Sequence, residues 1–323
     1  MSTLFSIGEL LIDFIPLQKG KALKDVFGFE RAPGGAPANV AATVAKYGGR
    51  ASMITKLGND PFGDFLLEQL ENVGVLTDKV FRSTEANTGL AFVSLQDNGE
   101  RDFTFYRNPS ADLLLTEGEI DEKWFSEGDI LHFCSVDLVE SPMKQAHVKA
   151  IEFAKSKGAI ISFDPNVRLP LWDEPKECRN TILSFMPMAH IVKISEEELD
   201  FLTGTINVEE AIDCLFVGDV KAIILTKGEG GADLFVRNKK YVSTGYKVKV
   251  YDTTGAGDAF VGGLLYQLLD KNTTQQNLEE ILEDNHRQIL AFANASGALT
   301  TTGKGAISSL PNKMDINLLI SSQ

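Results

Sequence analysis

Short apolar runs that recur between stretches of helical period constrain this chain more than any other feature. Residues 130–134, 160–163, 190–194 and 222–225 are apolar runs ending in polar or glycine turns, the pattern of parallel strands buried on both faces. Between two of them, residues 141–157 place Ala146, Ala150, Ile151 and Ala154 at helical spacing, and Gly158 supplies the stop. Strands alternating with helices predict a doubly wound, mostly parallel sheet flanked by helices. The 323 residues allow one large α/β domain or two ordinary ones, with a substantial core in either case. The expected organisation is one α/β domain over residues 1–323.

One stretch breaks the alternation. Residues 89–95 and 101–106 read as two strands flanking Asp97-Asn98-Gly99, a hairpin signal. Residues 9–30, with Asp13 and Val26-Phe27-Gly28-Phe29, supply candidate strands for the same small sheet. A β-rich lid is therefore expected from about 9–32 and 87–108, inserted in the main domain; the alternative is an edge hairpin of the main sheet. Residues 1–16 are apolar but carry Glu9 and Asp13 and lack a positive start. They read as a first strand, neither a signal nor a membrane span.

Composition narrows the partners. Lys plus Arg number 31 against 45 Asp plus Glu, a net charge of −14, with no basic cluster, which argues against nucleic acid. Cys134, Cys178 and Cys214 are widely spaced and form no Cys-x-x-Cys pair, so a reduced, cytoplasmic compartment is expected. The four histidines are scattered, as core or surface residues are.

Two phosphate-binding motifs fail. Gly303-Lys304 is followed by Gly305 and is separated from Gly297 by five residues, so no P-loop is present. Gly255-Ala256-Gly257 continues to Phe260 where a dinucleotide fingerprint needs its third glycine. What stands out is Asp252-Thr253-Thr254-Gly255-Ala256-Gly257-Asp258-Ala259-Phe260, a glycine turn feeding an apolar run over 261–269. Small residues at a helix start expose backbone N–H groups where the macrodipole favours negative charge. Asp258, in the first turn, is then placed to accept a proton beside an anion site; the plainer reading is an acid that complements the helix dipole.

That nonapeptide resembles the C-terminal signature of the ribokinase-like (PfkB) carbohydrate kinases. The resemblance implies an anion hole at Gly255, Ala256 and Gly257, with Asp258 as general base. Gly34-Gly35-Ala36-Pro37-Ala38-Asn39 and Gly58-Asn59-Asp60-Pro61-Phe62-Gly63 are similar to the family's upstream signature, and it implies sugar contacts from Asp13, Gly34, Gly35 and Asn39. Ser195-Glu196-Glu197-Glu198 occupies the place of the family's Asn-x-x-Glu, departing from it at Ser195. Glu198 is thereby a candidate organiser of Mg²⁺, although Ser-x-x-Glu is equally a capping box. Lys193, Thr226-Lys227-Gly228 and Asn294 fall at nucleotide-side positions for ATP. The resemblance also implies a site for a monovalent cation, K⁺, with oxygens from Asp252, Thr254, Thr300, Gly303, Gly305 and Ser309.

The resemblance runs from about residue 5 to 311, and two segments narrow the sugar. Residues 105–112, with Tyr106 and Arg107, and residues 163–172, with Asp164, Asn166 and Arg168, look like the matching stretches of fructokinases, including those of plants. They imply D-fructose phosphorylated at O6 by ATP. Arg107 could fork onto a hydroxyl, a carboxylate or a phosphate, or be a surface charge; a carboxylate partner makes 2-keto-3-deoxygluconate the runner-up. Residues 164–168 could equally be a Pro-containing Asx turn. A non-catalytic sugar- or nucleotide-binding regulator and a nucleoside kinase are the further alternatives. An exposed small sheet also suits a homodimer contact.

Overall fold

The computed structural model describes residues 2–18, 20–95, 101–205 and 207–323. Among them the strands run in chain order as β1 (Thr3–Ile7), β2 (Leu11–Pro16), β3 (Phe29–Gly34), β4 (Arg50–Gly58), β5 (Val80–Ser83), β6 (Leu90–Leu95), β7 (Arg101–Tyr106), β8 (Ile130–Cys134), β9 (Ile160–Asp164), β10 (Ile191–Ser195), β11 (Ala222–Thr226), β12 (Ala232–Val236) and β13 (Lys239–Ser243). The helices are α1 (Ala36–Lys46), α2 (Pro61–Val73), α3 (Pro142–Ser156), α4 (Pro175–Phe185), α5 (Glu196–Thr203), α6 (Val208–Leu215), α7 (Ala256–Asp270), α8 (Leu278–Thr300) and α9 (Lys313–Ser322).

Nine strands form one sheet in the order β13-β12-β11-β10-β9-β8-β1-β4-β5. Pairing is parallel from β11 through β5, and β12 and β13 add antiparallel at one edge. The four apolar runs of the sequence are β8 to β11, as expected of strands covered on both faces. Successive residues part to opposite sides: Ile130, Ile160, Ile191 and Ile224 pack with α1, α2, α7, α8 and α9, whereas Leu131, Ile161, Val192 and Leu225 pack beneath α3 to α6. Each fully buried Ile or Leu is worth about 1.5–3 kcal/mol relative to exposure, so this apolar register fixes where each strand ends. Those carboxyl ends present Asp164 and Ser195 to the crevice where α/β sheets bind ligands.

The second sheet has four strands in the order β3-β2-β6-β7. The expected hairpin partners are β6 and β7, paired antiparallel; β2 pairs antiparallel with β3 and parallel with β6. The hairpin is thus part of a separate small sheet, not an edge of the large one. Its Asp97-Asn98-Gly99 turn lies outside the described residues. One side of this sheet is aromatic: Phe14 stacks on Phe92 with ring centroids 4.9 Å apart, and Phe29 meets both edge-on, as does Phe62 of α2 with Phe14. Among the described residues no helix is long and apolar enough to cross a membrane.

Candidate active site

Helix α7 begins at Gly255, whose φ of 74° is left-handed and therefore favours glycine. A Cβ there would also stand 2.4 Å from the Ala306 side chain. The turn lifts α7 so that Asp258, in its first turn, points into a cleft of about 330 Å³. Asn39 Nδ2, in the first turn of α1, donates to Asp258 Oδ2 at 2.8 Å, and Asn166 Nδ2 lies 3.5 Å from Asp258 Oδ1. Burial pushes the Asp258 carboxyl above its ordinary value, against the Asn39 bond and the charges of Arg168 and Lys193. A base poised upward in this way, in the first turn of a helix whose dipole favours negative charge, suits proton abstraction next to developing negative charge.

The same cleft is lined by Glu9, Asp13, Gly35, Asn39, Phe105 and Val136. Asp13, on β2, needs Gly34: a Cβ at 34 would sit 2.3 Å from Asp13 Oδ2. Gly35 caps α1, and Glu9 Oε1 accepts the Ala36 N–H at 2.8 Å, pinning the turn between them.

Asn166, Arg168, Lys193, Glu198, Thr254, Gly255 and Gly257 also line the cleft. Lys193 Nζ is 3.2 Å from both oxygens of Asp164 and 3.9 Å from Glu198. Burial raises the Asp164 carboxyl to about 7 despite Lys193, and the surrounding carboxylates hold Lys193 protonated against its own burial. Ser195 and Glu198 do form the capping box, while Glu198 also accepts the Val167 N–H at 2.9 Å. Although burial opposes it, Lys193 and these amides hold the Glu198 carboxyl below its usual value. A charged carboxylate lining the cleft fits the water shell of a divalent ion carried by nucleotide phosphates.

Asp252 accepts the Thr254 N–H at 2.9 Å, the Thr254 hydroxyl at 2.6 Å and the Gly305 N–H at 2.9 Å, drawing residues 303–309 against the glycine turn. Ser309 donates to the Ala306 carbonyl at 3.1 Å, and the buried Thr300 hydroxyl donates to Ser296 O at 2.8 Å. Asp252, Thr254, Gly303, Gly305 and Ser309 are thus gathered beside the turn, whereas the Thr300 hydroxyl is turned into α8. An oxygen-only donor set of this kind suits a hard cation.

Other candidates lie elsewhere. The Thr226 hydroxyl donates to Ile194 O at 3.2 Å, Lys227 pairs with Asp233 at 2.6 Å, and Asn294 donates to Ser243 at 3.0 Å and to the Thr244 carbonyl at 3.4 Å. None of these, nor Gly228, lines the cleft around Asp258. Arg107 is neither a surface charge nor a fork into that cleft. It is buried between Asp112 and Asp137 and, like the exposed Tyr106, borders a separate groove. Neither of these acids nor Glu9 belongs to a motif in the sequence. The available signal was a charged residue directly after Gly8 inside an otherwise apolar start.

The pfkB family carbohydrate kinase profile matches residues 1–313. A probable fructokinase-2 of Arabidopsis thaliana is 46% identical over 95% of this chain and 92% of its own length. Fructokinase-1 of Oryza sativa is 44% identical over 98% of this chain and 97% of its own. Among solved structures, a Xylella fastidiosa fructokinase with bound ATP superposes with a TM-score of 0.90 at 34% identity, covering 99% of this chain and 98% of that one. A Vibrio cholerae fructokinase with fructose, ADP and calcium superposes at 0.87 and 37% identity, covering 99% of each chain. With its Gly-Ala-Gly-Asp turn placed over a cleft at the ends of a parallel sheet, the chain belongs to the pfkB family of carbohydrate kinases.

Proposed function

We propose that this enzyme transfers the γ-phosphoryl group of ATP to O6 of D-fructose, with Asp258 as general base. The observation that carries the reading is Asp258 at the start of α7, bonded to Asn39 of the Gly34-Gly35 turn within one cleft. Asp13, Gly34, Gly35 and Asn39 hold the sugar hydroxyls, and Asp258 takes the proton of the attacking primary hydroxyl. The amides of Gly255, Ala256 and Gly257 receive the developing phosphoryl charge. Lys193 adds a cation beside them: a Cβ on Gly257 would stand 3.8 Å from its Nζ. Arg168 and Asn166 complete the wall, while Asp164 keeps Lys193 in place. Lys227, Thr226, Gly228 and Asn294 form the nucleotide side.

Mg²⁺, arriving with ATP, would neutralise the phosphates, with Glu198 accepting hydrogen bonds from its water shell. K⁺ would be held by Asp252 and neighbouring carbonyls, supporting the turn electrostatically. The small sheet acts as a lid over the sugar and pairs with a second copy through Leu17, Phe27 and Tyr106, which are exposed.

A coupled ADP-release assay tests the assignment with fructose, 2-keto-3-deoxygluconate, ribose and adenosine, in potassium and in tetramethylammonium. Fructose is expected to give by far the highest kcat/KM; preference for another acceptor overturns the sugar, and equal rates in both salts remove the cation. Asp258→Asn should lower kcat about 10²- to 10⁴-fold. A folded variant with near-native kcat would sink Asp258 as the base.

A further inference from the structure

Behind the sugar side of the cleft, three carboxyl groups surround one guanidinium. Arg107 pairs with Asp112 and Asp137, and Glu9 lies close enough to Asp137 and Arg107 to feel both charges. Glu9 is 3% exposed, yet it lines the cleft. Its Oε1 holds the Ala36 N–H, while its Oε2 is buried and has no hydrogen-bond partner among the described residues. Asn39 Oδ1, one helical turn further along the same wall, is buried and unpaired in the same way. Buried polar atoms left without partners are destabilising. Two of them on side chains flanking one turn call for a ligand with neighbouring hydroxyls.

We propose that Glu9 is a further sugar-binding residue, its Oε2 hydrogen-bonded to a hydroxyl next to the one held by Asn39. This rests on the sugar-kinase reading. Burial and the neighbouring Asp137 hold the Glu9 carboxyl well above the usual range, although Arg107 opposes them. The proposal has Glu9 meet the sugar as a neutral acid whose O–H donates to the hydroxyl oxygen. An ionised Glu9 would be a third carboxylate sharing one guanidinium.

The test compares the native full-length enzyme with Glu9→Ala and Glu9→Gln, against fructose and a series of single deoxyfructoses. Glu9→Ala should raise the fructose KM about 10- to 100-fold, as loss of one buried hydrogen bond does, with the ATP KM within about threefold. Glu9→Gln restores a donor and should recover most of that loss. The Glu9→Ala penalty should shrink sharply for the one deoxyfructose that lacks the partner hydroxyl, which a merely structural role would not produce. An unmoved fructose KM, or an equal penalty for every analogue, overturns the role. Should Glu9→Ala not fold, infrared difference spectra remain decisive: fructose should shift a protonated-carboxyl band in the native enzyme that the near-isosteric Glu9→Gln lacks, and no such band overturns the proposal. Preference for another panel sugar overturns the fructose assignment alone, and Glu9 is then tested with that sugar. A native enzyme that binds none of them overturns both.

Discussion

Asp258 is flanked by two asparagines, at 2.8 and 3.5 Å, one near the start of the chain and one just past its midpoint. Asn39 gives its Nδ2 to Asp258 while its Oδ1 has no partner among the described residues, so in the proposed mechanism one side chain links proton abstraction to sugar binding. In the proposed mechanism Asp258 acts as a carboxylate, so kcat/KM should fall as the pH drops through its pKa. Burial raises that pKa, so the acid limb should lie above the ordinary Asp value of about 3.9. A pH–rate profile with fructose checks this; a limb at or below the ordinary value would mean that the site does not shield Asp258. Arg107 teaches the opposite lesson about charge. A guanidinium that leaves the small sheet ready to bind a ligand is instead consumed by Asp112 and Asp137, which removes the structural support for a carboxylate-bearing sugar at that residue.

Asp60 joins two elements. Its Oδ1 caps α2 by accepting the N–H groups of Phe62 at 3.0 Å and Gly63 at 2.8 Å. It also accepts the Thr88 hydroxyl at 2.9 Å, and Oδ2 accepts the Thr88 N–H at 2.8 Å, just before β6. One carboxylate therefore fastens a helix of the main body to the approach to the small sheet. Asp60→Ala should cost about 0.5–2 kcal/mol for the cap alone, read by urea denaturation at pH 7. Burial tends to raise the Asp60 pKa, but the bonds from Thr88, Gly63 and Phe62 lower it below its ordinary value. Its stabilisation is thus complete above the unfolded-state pKa and is lost as pH falls through the lower folded-state value. The gap between native and Asp60→Ala should narrow in acid; a gap that stays constant to pH 2 would contradict the cap's electrostatic part.

At the scale of the whole molecule, Leu17, Phe27 and Tyr106 are exposed on and around the small sheet, where burial against a second copy would remove apolar surface from water. Sedimentation should give twice the 35.3 kDa mass of the chain, and Phe27→Glu should return it to one. A native monomer at every concentration would remove the dimer. The doubly wound sheet was legible because burial on both faces writes itself locally, as apolar runs of strand length between helical periods. The Gly255–Asp258 turn was legible for the same reason, since its left-handed glycine and helix start are properties of adjacent residues. Contacts between distant residues were settled by folding alone: Asn39 with Asp258, separated by 219 positions, Arg107 with Asp137, and Glu9 with Ala36. Residue type states what a side chain can donate or accept, but its partner, its desolvation and hence its charge depend on which distant elements packing brings against it. That is why local pattern was enough to read the fold and the proposed base, whereas packing decided which acids and bases line the cleft.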